Sequence, residues 1–282
     1  MRRSSLLSVS STLKKSLTLG SLLLASVSTY TNAHPVWVLP HEFVVSSERP
    51  EWVTFDVTAS HTYFNYDKGL PLHTVSIHLP DGDKQRVGSY FKGHRRSVFD
   101  LQLTQDGTYR IEGKRPPYYF TEYKVGKRDT VKRMRADKVT AAQQLPKDAR
   151  DVKTYLISMT SMTFVTNNKP TNDQVEPKGK GLEIKLNVHP NDIVQGDEVE
   201  VTVLVDGQPK EGAKVEVTPG GTKYRDERGV LEFKADAEGK IRFTPEQAGP
   251  WVFYANHTAP AESKLADENY ASLYMTFEVQ PE

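Results

Sequence analysis

The sequence predicts an all-β protein built from two antiparallel β-sandwich domains that are joined by a partly helical basic connector. Two observations lead to this fold class. Short segments alternate apolar and polar residues in the period of a strand, and turns rich in Gly, Asp and Pro separate them. The length of 282 residues is enough for about two domains. We expect sandwiches over residues 34–123 and 181–282, with the connector over 124–180.

The first 33 residues have the three parts of a secretory signal. Arg2, Arg3 and Lys14–Lys15 precede a short apolar run at 17–27, and Thr31-Asn32-Ala33 offers a small-x-small cleavage site. Cleavage after Ala33 would leave an exported, periplasmic protein whose first residue is His34. No later stretch approaches the roughly 18 apolar residues of a membrane span, so stable membrane insertion after cleavage is not expected.

The second half of the chain shows the strand pattern most clearly. Val199–Val205 alternates strictly, and Asp206-Gly207 follows it at once as a strong turn signal. Six or seven short strands in about 100 residues are typical of an immunoglobulin-like β-sandwich. The segments that we interpret as its strands are 182–188, 199–205, 214–218, 241–243, 251–255 and 273–279.

The first half repeats this pattern with less regularity. Alternating residues predict strands at 52–59, 73–79, 99–103 and 109–111, with Asp-Gly turns at 81–82 and 106–107. We therefore expect a second sandwich over residues 34–123.

The connector begins with a basic segment, because residues 124–138 hold seven basic side chains and two acidic ones. Asp129 is a candidate N-cap for a short helix that ends before Pro146. Its apolar stripe would consist of Val131, Met134, Ala142 and Leu145. We interpret the segment as a solvated connector rather than a binding surface, since no aromatic residues interleave with its charges.

An ordered set of short motifs resembles an exported family of unknown function that is labelled NikM-like. The opening His34-Pro35-Val36-Trp37 is similar to that family's Ala-His-x-x-Trp start, although Pro35 replaces its usual acidic residue. The resemblance implies a periplasmic component of nickel or cobalt uptake, with a membrane transporter as partner. The remaining motifs are Gly181–Ile184, Val188–Pro190, Gly196-Asp197, Val203–Pro209, Gly212–Val215, Ala237–Lys240 and Ala248–Trp251.

Four histidines are candidate metal ligands. An N-terminal His34 would offer its α-amine and its imidazole Nδ1 as a chelate, and nitrogen donors suit Ni, Co or Cu ions. His61 and His257 each follow a predicted strand, and His41 lies in the first segment of the mature chain. The sequence therefore predicts a transition-metal site that combines His34 with two of His41, His61 and His257.

Several function classes are excluded or disfavoured. Lys and Arg total 37 against 36 Asp and Glu, which argues against a dedicated nucleic-acid binder. The absence of Cys excludes thiolate metal sites and Cys nucleophiles. No common catalytic motif occurs, so we do not expect an enzyme. The alternative is a metal-free module that recognises a protein or glycan through aromatic residues, namely Tyr63, Phe64, Tyr66, Tyr118, Tyr119 and Phe120.

Overall fold

The computed structural model describes residues 35–282, which are almost entirely β. Short 3₁₀ turns lie at Leu72–Thr74 and Thr222–Tyr224, and one α-helix, α1, spans Lys138–Gln144. The strands in chain order are β1 Val36–Pro40, β2 Val44–Val45, β3 Glu51–Ala59, β4 Lys68–Gly69, β5 Val75–His78, β6 Lys84–Arg86, β7 Phe91–Lys92, β8 Ser97–Leu103, β9 Gly107–Lys114, β10 Tyr118–Val125, β11 Thr130–Met134, β12 Arg150–Asn167, β13 Leu182–Leu186, β14 Val199–Val205, β15 Gln208–Pro209, β16 Lys214–Pro219, β17 Leu231–Lys234, β18 Lys240–Phe243, β19 Gly249–Pro260 and β20 Glu268–Val279.

Three sheets organise these strands. An eleven-stranded sheet runs in the order β17-β16-β19-β20-β12-β9-β5-β6, and β10, β11 and β2 join it through β12 and β10. A five-stranded sheet has the order β1-β3-β8-β7, with β4 paired to β3. A four-stranded sheet contains β13-β14-β15, with β18 paired to β14. The large sheet therefore combines strands from both halves of the chain.

Hydrophobic cores lie on both faces of the large sheet. Along β19, Val252 belongs to the core under the five-stranded sheet, whereas the adjacent Phe253 belongs to the core under the four-stranded sheet. On β20, Tyr274 belongs to the core under the five-stranded sheet, and the adjacent Leu273 belongs to the core under the four-stranded sheet. Because successive side chains of a strand point to opposite faces, these strands are shared by the two cores.

The all-β prediction is confirmed, but two separate sandwiches joined by a connector are not. Residues 35–282 lie in one compact unit. The segment 124–180 contributes β12, whose residues Tyr155–Thr163 pair in parallel with Glu268–Thr276 of β20. Thr154, Thr163 and Thr166 of β12 are buried, and Thr163 Oγ1 donates to the carbonyl oxygen of Thr276 at 3.1 Å. The segment thus contains a central strand of the large sheet.

The short helix of this segment is present but begins later than predicted. Residues Thr130–Met134 form β11, and Asp129 lies in the hairpin turn before it with a positive φ. The N-cap of α1 is Asp137, whose carboxylate accepts from the backbone N–H groups of Val139 and Thr140. A carboxylate that satisfies two free N–H groups fixes the start of the helix there.

Candidate functional site

The chain enters the five-stranded sheet beside the end of β3. Val36 pairs with Ala59, and the backbone N–H of Ser60 donates to the carbonyl oxygen of Pro35 at 3.0 Å. The hydroxyl of Ser60 also accepts a hydrogen bond from Trp37 Nε1 at 3.0 Å. These contacts hold the first described residue, Pro35, at the same rim as His61. The predicted ligand His34 and the predicted secretory signal lie outside the described residues.

His61 is held by a carboxylate at this rim. Its Nδ1 lies 3.2 Å from Asp67 Oδ2, and its backbone N–H donates to the same oxygen at 2.8 Å. That backbone hydrogen bond, with the imidazole and Arg95 nearby, lowers the pKa of Asp67 below its ordinary value. Asp67 is therefore ionised at neutral pH. A carboxylate on one ring nitrogen is the usual outer-shell partner of a metal-binding imidazole.

The structure places His41 at the other end of the β1–β3 pair. Its backbone N–H donates to the carbonyl oxygen of Thr54, and its Nε2 is 4.0 Å from Asp56 Oδ2. His41 is six residue steps from Pro35 along the extended chain, a distance of roughly 20 Å at about 3.3 Å per residue. His41 and His61 are therefore not brought together.

His257 and the rim lie on opposite faces of the large sheet. It pairs with Ala271 and shares the strand parity of Phe253 and Ala255, which face the core under the four-stranded sheet. The strand β1 packs on the opposite face, where Val38 accepts a hydrogen bond from Thr276. Within residues 35–282, no three His, Asp or Glu side chains converge as a metal site.

A cavity of about 510 Å³ opens beside the rim. Its apolar wall includes the buried side chains of Val36, Val57, Val75 and Met159. Its polar lining is basic and contains no Asp or Glu. The basic lining residues come from β4, the first 3₁₀ turn, β7, the β9–β10 loop and the end of β11, and they are Lys68, His73, Lys92, Arg115 and Arg135.

A second cavity of about 540 Å³ adjoins the first along the β9–β10 loop. Both are lined by His73 and Arg115, and the second adds three further basic residues, Lys84, Arg86 and Lys114. The one carboxylate in the second lining is Glu112, which accepts from Arg110 Nη2 at 2.8 Å. The two cavities therefore form a continuous basic region.

Little in the amino-acid sequence indicates this basic region. Of the four Lys and Arg residues around the first cavity, only Arg135 falls in the segment 124–138 that composition singles out. The others are isolated in sequence and are gathered by strand pairing alone. A non-local arrangement of this kind has no periodicity or spacing by which it could be found.

The aromatic residues of the interaction-module alternative are largely used in packing. Tyr63 is buried, and its carbonyl oxygen accepts from Thr222 Oγ1 at 2.8 Å. Phe64 and Tyr66 pack on Trp37, with ring centroids 6.0 and 5.2 Å away. Tyr118, Tyr119 and Phe120 are partly buried in β10. These residues do not form an open aromatic face.

The three sheets and the two cores between them define an all-β protein of the layered sandwich type. Residues 31–259 match the family described as "Domain of unknown function (DUF4198)", and the chain belongs to that family. No curated protein matches.

Solved structures similar to this chain include "D0-D1 domain of Intimin", at 12% identity and a TM-score of 0.23, over 86% of this chain and 97% of that one. The chicken CNTN1 FN1-FN3 domains are 7% identical with a TM-score of 0.23, over 87% of this chain and 98% of that one. A DUF3823 family protein from Bacteroides uniformis is 14% identical with a TM-score of 0.21, over 88% and 100% respectively.

Within residues 35–282, no helix has the length and apolar character needed to cross a membrane.

Proposed function

We propose that the mature protein binds a transition metal ion, Ni, Co or Cu, through His34 and His61. The observation that supports this is the hydrogen bond from the backbone N–H of Ser60 to the carbonyl oxygen of Pro35, at 3.0 Å. His34 is bonded to Pro35, and His61 is bonded to Ser60. The Cα atom of each histidine is therefore about 3.8 Å from the Cα atom of its neighbour in this hydrogen-bonded pair. Two long imidazole side chains attached at those points can reach one ion.

The donor set fits a transition metal rather than Ca or Mg. Cleavage after Ala33 would free the α-amine of His34, which forms a chelate together with the imidazole Nδ1. His61 supplies a third nitrogen, and Asp67 supports its imidazole through the contact at 3.2 Å. Amine and imidazole nitrogens favour divalent ions late in the first transition series.

We further propose that the protein is a periplasmic carrier that delivers this ion to a membrane uptake transporter, and that it is not an enzyme. The secretory signal in the sequence and the resemblance to the NikM-like family support this role. A chelate at a chain terminus suits transfer, because its ligands can be released one at a time to an accepting site.

Calorimetry with Ni²⁺, Co²⁺ and Cu²⁺ tests the site on the mature form that begins at His34. A form with one Gly added before His34 retains every side chain but lacks the free α-amine of His34, and we expect it to lose tight binding. His61→Ala should weaken binding by about tenfold or more, because one of three nitrogen ligands is lost.

His41→Ala is the matched control, since it removes an exposed imidazole at the far end of β1. It should bind the metal as the unmodified mature form does. Equal affinity of the extended and unextended forms, or equal loss in the His41→Ala and His61→Ala variants, would contradict the proposed site.

A further inference from the structure

The cavity beside the rim contains uncompensated positive charge. Lys68, Lys92, Arg115 and Arg135 line it, and none of the four is ion-paired with a carboxylate among the described residues. Residues 1–34 contain no Asp or Glu and therefore have no carboxylate side chain to supply. By contrast, Arg242 on β18 is paired with Glu200 on the neighbouring strand at 2.5 Å. Within residues 35–282, the four basic side chains of this cluster thus lack a carboxylate partner, and an external anion can supply one.

Arg135 is held by an aromatic ring, and Arg115 lines both cavities. Arg115 is partly buried in the loop between β9 and β10, where it forms part of the wall between the two cavities. The guanidinium of Arg135 lies over the Tyr118 ring, 4.5 Å from its centroid. A guanidinium held by stacking retains its N–H donors for a carboxylate or phosphate and loses less conformational entropy on binding.

The cavity also has a wall that suits an apolar group. Val57, Val75 and Met159 are each at most 5% exposed, and they form its inner surface together with Leu70. A volume of about 510 Å³ falls in the usual range for small-molecule sites. An apolar wall beside basic side chains matches a molecule that has a hydrocarbon or aromatic body and an anionic head.

We propose that this cavity binds a small organic anion. Its carboxylate or phosphate group would lie at the basic side chains of the cavity, and its apolar body would lie against Val57, Val75 and Met159. The site is separate from the proposed metal site and does not require the α-amine of His34. Lys68, Lys92, Arg115 and Arg135 supply the positive charge that attracts the anionic head.

Octanoate and octyl phosphate are suitable probes, and octanol is the neutral control with the same hydrocarbon body. Calorimetry on the mature protein should detect the anions and show at least about tenfold weaker binding of octanol, since charge-assisted hydrogen bonds are lost. Comparison of the two anions distinguishes a carboxylate site from a phosphate site. Equal binding of octanol and the anions, or no binding of either anion, would overturn the proposal.

Substitution tests the location of the site. The double variant Lys68→Gln with Arg115→Gln should weaken anion binding about tenfold or more and leave the thermal transition unchanged, because neither residue has an ion-pair partner to lose among residues 35–282. Lys127→Gln removes an exposed charge from the β10–β11 turn and is the matched control. An unchanged anion affinity in the double variant would overturn the assignment.

Methyl NMR gives a second measurement that does not depend on a variant. With labelled methionine, anion binding should shift the Met159 methyl signal, because Met159 lines the cavity. Met275 lies in the core under the four-stranded sheet and should not shift. A shift at Met275 without one at Met159 would contradict the proposed cavity. The extended form used for the metal test should still bind the anion, which separates the failure of one proposal from that of the other.

Discussion

Replacing Glu112 with Gln tests how much this carboxylate, the one that lines the second cavity, stabilises the folded protein. Glu112 is mostly buried on β9, where it accepts from Arg110 Nη2 at 2.8 Å and lies 3.5 Å from His78 Nε2. Burial alone would raise its pKa. The neighbouring imidazole of His78 and the positive charge of Arg110 outweigh burial and lower the pKa of Glu112 to about 2.

The size of this effect follows from linkage between protonation and folding. The pKa of Glu112 falls from its ordinary value of 4.5 to about 2 in the folded protein. Such a difference stabilises the folded state by about 3 kcal/mol when the carboxyl is ionised. Because the folded-state pKa is the lower one, this contribution is complete above pH 4.5 and is lost as the pH falls towards 2.

Urea unfolding between neutral pH and about pH 2 measures this contribution as a difference between the two proteins. We expect Glu112→Gln to be less stable by about 3 kcal/mol at neutral pH, and the gap to close as the native Glu112 becomes protonated. Asp151→Asn is the matched control, because it removes an exposed carboxylate paired with Lys124. It should change stability little. A gap for Glu112→Gln that stays constant with pH would refute the reasoning.

Two further predictions concern the stability of the five-stranded sheet. Arg96→Ala removes the guanidinium that lies 2.7 Å from Asp56, a carboxylate only 2% exposed, and should lower the free energy of unfolding in urea by about 2–3 kcal/mol. Adding Asp56→Asn should recover part of that loss, and no recovery would contradict the charge argument. Gly69→Ala should lower the melting temperature in calorimetry, because its Cβ would overlap the carbonyl oxygen of Gly93. Gly88→Ala is the control with open space, and an equal effect there would contradict the packing argument.

Local physics explains why many strands were predictable. The strand Val199–Val205 has its predicted bounds, since β-branched residues on one face and polar residues on the other have a single favourable arrangement. The turn that follows is likewise predictable from its own residues. Asp206 and Gly207 both have positive φ, the backbone conformation required by the tight hairpin turn that they predict.

The longest strand was not predictable for the opposite reason. Arg150–Asn167 contains many Ser and Thr residues and begins in an exposed, charged region, so its pattern does not indicate a buried strand. Its hydroxyls are satisfied only by distant partners. Thr154 Oγ1 lies 2.8 Å from Thr121 Oγ1, and Thr166 Oγ1 donates to Asn191 Oδ1 at 2.9 Å. Such bonds allow polar residues in a core, but they depend on pairing that the sequence does not reveal.

The candidate site shows the same division between local and non-local information. The sequence identifies His41, His61 and His257 as similar residues near strand ends. Only the register of β1 against β3 places His61 beside Pro35, and only the face of β19 places His257 in a different layer. The presence of a histidine near a strand end therefore suggests a ligand. The choice among the three histidines requires the pairing of the strands in three dimensions.

The two proposed sites use the same two segments of chain, and this has an electrostatic consequence. Pro35 and Asp67 belong to the rim, while the next residues, Val36 and Lys68, line the basic cavity. Positive charge around the cavity opposes a metal cation at the rim, and an anion in the cavity reduces that opposition. Because coupling between two sites is reciprocal, each ligand then favours the other by the same factor. We therefore expect an anion bound in the basic cavity to raise the affinity of the proposed metal site, which calorimetry with and without octanoate would measure.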